Sequence, residues 1–237
     1  MVKTYNATLT KTEQLTPTVK ALHFKLDNNE SLDFKTGQWL MLDIPNGTTP
    51  IRRPMSIASP DKEKTNIEFC IKLNPQGQGT KILHTLQSGT SITLNGPFGQ
   101  FILKYPTEAD IILIATGSGI APLKAMIQDL LLTKKAKNNI YLLFGNRTED
   151  EIVYKDLFET LARTRQNFHF LPILSKPQEN WNGERGRVQD LLKKHFINHS
   201  KSTDFYLCGM KDMILETLSL LETMGFPRKN IHFERYN

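Results

Sequence analysis

Residues 111–126 read IILIATGSGIAPLKAM. Five apolar residues run into Thr116-Gly117-Ser118-Gly119, and a helical pattern with Pro122 near its start follows. A buried strand, a tight glycine turn and a helix N-terminus together make a cradle for a phosphate. Glycine lets the backbone approach the anion, and the free N–H groups of the first helical turn point at it. The spacing is Gly-x-Gly-x-x-Pro, so the Gly-x-Gly-x-x-Gly dinucleotide fingerprint is half met. As plain structure, the same residues make a strand-to-helix connection.

Downstream of this turn, strand and helix patterns alternate. Apolar residues at 120, 123, 126, 127, 130 and 131 form a helical stripe over 120–133. Strands are predicted at 139–145, 168–174, 204–209 and 231–234, and helices at 151–163, 188–196 and 212–224. This alternation predicts a parallel sheet covered by helices on both faces. Ligands of such sheets sit at the carboxyl ends of the strands. The residues found there are Thr116-Gly117-Ser118-Gly119, Gly145-Asn146-Arg147, Ser175-Lys176, Cys208-Gly209-Met210 and Glu234-Arg235-Tyr236. Small, polar and basic side chains gather on one rim, which reads as a site.

Upstream, short alternating segments at 2–11, 19–26, 38–44, 53–58, 66–73 and 91–94 are separated by turn residues. They predict a small antiparallel barrel. Arg52-Arg53-Pro54-Met55-Ser56 puts two guanidinium groups beside a proline, which marks an edge strand or a site. An arginine fork there suits a phosphate; the plain alternative is an exposed basic edge. Asn74-Pro75-Gln76-Gly77-Gln78-Gly79-Thr80 resembles another glycine turn, feeding a helix from Lys81 that Thr80 would cap. The arginine and this helix N-terminus are expected to meet on one pyrophosphate. Asn95-Gly96-Pro97-Phe98-Gly99-Gln100-Phe101 is a tight loop that needs no ligand.

Composition narrows the function classes. A chain of 237 residues suits one large or two ordinary domains. No apolar run approaches the ~20 residues of a membrane span. The start, MVKTYNATLTKTEQ, has no apolar signal core, so a cytoplasmic location is expected. Two distant cysteines, Cys70 and Cys208, argue against a disulfide framework and against a cysteine-ligated cluster. The net charge of +6 is mild and scattered, which argues against a nucleic-acid face and gives a weak preference for acidic protein partners. No metal site, Ser/His/Asp arrangement or acid–base dyad stands out.

These motifs, in this order, resemble the ferredoxin–NADP(H) reductase superfamily over nearly the whole chain. The resemblance rests on Arg53-Pro54-Met55-Ser56, Gly77-Gln78-Gly79-Thr80, Gly96-Pro97-Phe98-Gly99, Thr116 to Pro122, Cys208-Gly209 and Glu234-Arg235-Tyr236. It implies an FAD-binding antiparallel β-barrel over residues 1–105, followed by an NAD(P)-binding α/β domain with a parallel sheet over 106–237. Arg53 would then bind the FAD pyrophosphate, Ser56 would reach the flavin N5 region, and Gly79 and Thr80 would supply helix-terminus phosphate contacts. Further cofactor contacts are implied for Pro54, Met55, Cys70, Ile71, Lys72, Gly77 and Gln78. On the nicotinamide side, they are implied for Thr116, Gly117, Gly119, Ala121, Pro122, Asn146, Arg147, Gly209 and Met210. Cys208 and Glu234 would flank the place where nicotinamide meets flavin, and Tyr236 would cover the flavin ring. Three departures stand out: Met55 replaces the usual aromatic, Asn237 follows the terminal tyrosine, and the chain lacks the cysteine cluster of those relatives that carry their own iron–sulfur module.

The activity so implied is hydride transfer from NADH or NADPH to FAD, then electron transfer to a separate carrier such as ferredoxin, flavodoxin or an oxygenase component. A flavin reductase that uses flavin as substrate is the alternative, and a non-catalytic docking subunit is a third class. The cations Arg147, Lys176 and Arg185 would suit a 2′-phosphate. The acidic Glu149-Asp150-Glu151 and the stretch 181–188, similar to that of NADH-using relatives, tilt the reading towards NADH.

Overall fold

Leu40, Leu42 and Ile44 alternate with Trp39, Met41 and Asp43, and only the first three are fully buried. That period of two makes one face of a strand apolar and sets the register of its neighbours. In the computed structural model, which describes residues 2–200 and 202–236, six such strands form one antiparallel sheet. They are β1 (Lys3–Thr16), β2 (Val19–Leu26), β3 (Trp39–Ile44), β4 (Ile51–Ser56), β5 (Asn66–Lys72) and β6 (Ser91–Phe98), in the order β4-β3-β6-β1-β2-β5. A bridge between Ile57 and Phe69 joins the two outer strands, so the sheet closes on itself around Leu9, Leu22, Phe24, Leu40, Leu42, Phe69 and Leu94. Each large aliphatic buried in this way contributes about 1.5–3 kcal/mol. Helix α1 (Gln78–Thr85) adds Leu83 to the same core.

A different rule builds the second sheet. Ile111, Ile112, Leu113, Ile114 and Ala115 are all fully buried, so both faces of that strand are covered, as a parallel sheet requires. The strands are β7 (Ile111–Thr116), β8 (Ile140–Asn146), β9 (Phe168–Leu174), β10 (Glu184–Arg185), β11 (Asp204–Met210) and β12 (Ile231–Tyr236). All pairs are parallel, in the order β10-β9-β8-β7-β11-β12. The helices are α2 (Ile120–Gln128), α3 (Lys155–Thr164), α4 (Val188–His195) and α5 (Lys211–Thr223). Leu191, Leu192 and Ile214 of α4 and α5 share one core with Ile112, Ile114 and Leu143, while Phe158 of α3 meets Phe144 and Phe170.

Two units result, Met1–Leu103 with Lys124–Lys134, and Lys104–Leu123 with Lys135–Asn237. Among the described residues, no helix is long and apolar enough to cross a membrane, and no group of three or more His, Cys, Asp or Glu could hold a metal.

Several boundaries differ from the sequence reading. β1 continues to Thr16 because its polar end pairs with β2 through two register shifts. Helix α1 begins at Gln78 with Gly77 before it, so Thr80 lies in the first turn and does not cap it. Its hydroxyl accepts from Asn74 N–H (3.0 Å) and donates to the Gly77 carbonyl (3.1 Å), holding the turn that leads in. Helix α3 starts at Lys155, after Tyr154 takes a left-handed conformation (φ 57°). The helix expected to 133 is α-helical to Gln128 and then widens into a π turn over Asp129–Thr133. The two-residue strand β10 had no signal beyond its neighbours.

Candidate functional site

In the first unit, β4 lies at the edge of the sheet and pairs with β3, with Leu42 opposite Arg53 and Trp39 opposite Ser56. Arg53 and Pro54 are exposed, Met55 is half-buried against the barrel core, and Ser56 is buried. The Arg53 side chain runs over the start of α1. A methyl group on Gly79 would come 3.1 Å from Arg53 Cγ and 3.3 Å from its Nε. Among the described residues no side chain caps α1, so its first N–H groups face outward beside this guanidinium. Arg53 Nη1 donates to the Arg52 carbonyl (2.7 Å), and among the described residues no carboxylate pairs with it, whereas Arg52 is bound to Asp43 (3.0 Å). A cation and an uncapped helix terminus brought together fit a pyrophosphate. Gln78 Nε2 donates to Asn46 Oδ1 (3.0 Å), fixing the loop 45–50 beside the helix. Cys70 and Ile71 are buried on β5 and Lys72 is exposed, so the first two offer a ligand only their backbone. The Ile71 carbonyl is bonded to His84 Nε2 (2.9 Å).

The second unit supplies another cradle. β7 and β11 are neighbours though the chain visits β8, β9 and β10 between them, so the connections diverge there. A crevice outside the carboxyl ends is the expected result. Gly117 is left-handed (φ 53°) and Gly119 is buried against the neighbouring strand. A Cβ on Gly119 would lie 2.2 Å from the Cys208 carbonyl oxygen and 2.8 Å from Gly209 Cα; one on Gly209 would lie 2.4 Å from Thr116 Oγ1. The turn and the end of β11 thus meet backbone to backbone. Ala121 and Pro122 are buried in the first turn of α2. Thr116 Oγ1 and Asn146 Nδ2 are buried polar atoms with no hydrogen-bond partner among the described residues. Orphaned polar groups at two adjacent strand ends are costly unless a ligand completes them, and a dinucleotide's hydroxyl and phosphate groups fit that need.

Other rim residues sort by their contacts. Arg147 and Lys176 are exposed, and the Lys176 N–H donates to the Arg147 carbonyl (2.8 Å). Arg185 does not join them, because its Nη2 donates to the carbonyls of Gln178, Glu179 and Trp181 (3.3, 3.1 and 2.9 Å). Glu149 is held by Lys155 (2.5 Å). Met210 is 67% exposed just beyond Gly209. Cys208 is fully buried, opposite Glu234 in the β11–β12 ladder. Burial pushes its thiol pKa up strongly and the Glu234 charge adds to this, while a hydrogen bond from Tyr236 opposes both. Cys208 is therefore a neutral thiol, suited to shaping the site and unsuited to nucleophilic attack. Asn237 lies outside the described residues.

Sequence reading missed the buried charges of the first unit: Glu68, Lys124 and Asp129. The signal was present, since each is a lone charge inside an apolar run.

Comparison with known proteins matches both halves of the chain. Residues 6–103 match the oxidoreductase FAD-binding domain and residues 113–218 the oxidoreductase NAD-binding domain. The chain is 33% identical to the phenol hydroxylase P5 protein of Acinetobacter pittii over 100% of its own length and 66% of that protein. It is 29% identical to ferredoxin--NADP reductase B of Sorangium cellulosum over 98% of both. Among solved structures, an Amycolatopsis cytochrome P450 reductase superposes with a TM-score of 0.90 at 23% identity, covering 99% of this chain and 70% of that one. The cytochrome b5 reductase domain of Ulva prolifera nitrate reductase gives 0.86 at 22%, covering 98% and 97%. The fold is thus the ferredoxin reductase-like pairing of an antiparallel barrel and a parallel sheet.

Proposed function

The chain belongs to the FAD- and NAD-binding oxidoreductases of ferredoxin reductase-like fold, and we propose that it takes a hydride from NADH or NADPH and passes the electrons to a separate protein. The observation that carries this reading is the presence of two independent anion cradles in one chain, one per unit: Arg53 over the uncapped start of α1, and the 116–119 turn against Cys208-Gly209. When bound, NAD(P)H supplies the hydride and FAD accepts the two electrons and releases them singly.

The protein's part is to bind, orient and exclude water. Arg53 and the N–H groups at Gln78, Gly79 and Thr80 hold the FAD pyrophosphate. Ser56, buried at the end of β4, presents its hydroxyl towards the flavin. The turn Thr116 to Gly119 cradles the nicotinamide dinucleotide, with Thr116 Oγ1 and Asn146 Nδ2 gaining the partners they lack. Cys208 and Glu234 border the nicotinamide, the buried thiol as a wall and the carboxylate as a fixed charge. Tyr236, tied to Cys208, covers the same end of the sheet.

The acceptor is proposed by class, a ferredoxin, a flavodoxin or an oxygenase component. The printed names of the relatives, a phenol hydroxylase component and a ferredoxin--NADP reductase, support that class. A second reading, in which flavin is a released substrate, is favoured by Met55: β4 offers no aromatic side chain to hold a flavin ring. Anaerobic reduction with each nicotinamide, followed by trial acceptors, tests both. Protein that gains no bound flavin but reduces free flavin with NAD(P)H selects the second reading.

A further inference from the structure

The barrel contains an ion pair that stability does not explain. Glu68 of β5 and Lys124 meet at 2.5 Å, with side chains only 11% and 6% exposed. Lys124 lies in the part of α2 that belongs to the first unit. Taking two such charges out of water is expensive, and well-packed apolar residues in their place are often as stable or more so. Stability alone therefore does not call for the pair.

Its hydrogen bonds converge on the backbone that leaves Ser56. Lys124 Nζ donates to the Ala58 carbonyl (3.2 Å) as well as to Glu68. The Ala58 N–H donates to the Glu68 carbonyl (2.8 Å), so that residue is gripped on both sides. The Ser59 hydroxyl accepts from the Glu68 N–H (3.2 Å), and the Ile57 N–H donates to the Gln38 carbonyl (3.0 Å). Every residue from Ile57 to Ser59 is thus fixed by β5, by Lys124 or by the turn before β3. His23, opposite Glu68 in the β2–β5 ladder, does not take over the role of Lys124. Burial lowers its pKa, which disfavours the charged form, and its Nε2 has no partner among the described residues.

We propose that Lys124 and Glu68 are positioning residues for Ser56, holding the Ile57–Ala58 backbone so that the Ser56 hydroxyl stands where the flavin requires it. This rests on the reading of Ser56 as the flavin-facing residue of β4. A supporting group of this kind fixes the geometry of the group that does touch the reacting atoms, and an error of about 1 Å there can cost around a hundredfold in rate.

The test is the double substitution Lys124→Met/Glu68→Leu, which removes both charges together and so avoids stranding either one in the core. Glu68→Asp serves as a second variant that keeps both charges and shortens the reach to Lys124. Each is compared with the parent for melting temperature, FAD affinity by quenching of flavin fluorescence, and amide exchange at Ile57 and Ala58 in cofactor-free protein. The limiting rate of flavin reduction and the KM for NAD(P)H complete the comparison. The expected result is a cooperative melting transition, faster exchange at Ile57 and Ala58, FAD affinity down about tenfold, and a reduction rate down about tenfold or more at nearly unchanged KM. Glu68→Asp should move the same quantities in the same direction by a smaller factor, and it decides the matter alone if the double variant does not fold. FAD affinity and limiting rate within twofold of the parent in a folded variant overturn the proposal, whatever the melting temperature does. A parent protein that is itself not reduced by NAD(P)H overturns instead the flavoenzyme reading on which it stands.

Discussion

Substituting Gly119 by alanine tests the dinucleotide cradle more sharply than removing any charged side chain. The new methyl carbon would lie 2.2 Å from the Cys208 carbonyl oxygen, 2.5 Å from its carbon and 2.8 Å from Gly209 Cα. All three are backbone atoms of β11, which is paired on one side to β7 and on the other to β12 and cannot retreat. Overpacking of this kind costs about 1–3 kcal/mol, and for a chain of this size each kcal/mol lowers the melting temperature by roughly 2–4 °C. We expect a drop within about 2–12 °C, together with a raised KM for NAD(P)H, because relief comes only by moving the 116–119 turn. Two other glycines serve as references. Gly37→Ala would place its methyl 1.9 Å from the Phe101 carbonyl at a φ of 103° in the first unit, so it should lower the melting temperature without changing the KM for NAD(P)H. Gly79→Ala meets only the movable Arg53 side chain and Ile44, at 3.1–3.3 Å. Alanine is better than glycine inside a helix by about 0.5–1 kcal/mol, so stability should hold or rise while FAD affinity falls. Differential scanning calorimetry and steady-state kinetics read all three. A Gly119→Ala protein with the parent's melting temperature and the parent's KM would refute the close backbone contact and the cradle built on it.

Three further outcomes follow from the same geometry. Arg53→Ala should lose FAD during gel filtration, and unchanged occupancy counts against its phosphate role. Glu234→Gln should slow hydride transfer more than it weakens FAD binding, whereas a rate within about twofold (under roughly 0.5 kcal/mol,) places Glu234 away from the chemistry. His23, His84 and His232 each have their pKa lowered, chiefly by burial. A lowered folded-state pKa means that the unfolded chain binds protons first, so their contribution is complete above the ordinary value of about 6.5 and is lost as pH falls below it. The melting temperature should therefore decline on acidification from pH 7, and replacing the three by glutamine should flatten that decline.

Much of the fold was legible because it depends on period. Val19–Leu26, Phe168–Leu174 and the apolar run 111–115 declare themselves by alternation or by unbroken hydrophobicity, and the βα rhythm predicts that the second sheet is parallel. The rim was legible too, since whatever follows a parallel strand must stand at its carboxyl end. What escaped the reading depends on which partner a residue meets, and residue type alone does not name it. The polar tail of β1 is a strand only because β2 lies beside it. Thr80 resembles a cap until Asn74 is seen to take its hydroxyl. Arg185 looks like a phosphate ligand until three loop carbonyls claim it. Glu68 and Lys124 are 56 residues apart, and no local pattern says that they meet.

The most direct test is whether the two proposed cradles serve one reaction. Protein loaded with FAD and mixed anaerobically with NADH and, separately, NADPH should lose its oxidised flavin absorbance in a fast phase with at least one of them, and regain it on adding a one-electron protein acceptor. Protein that binds FAD yet keeps the oxidised spectrum with both nicotinamides would contradict the account.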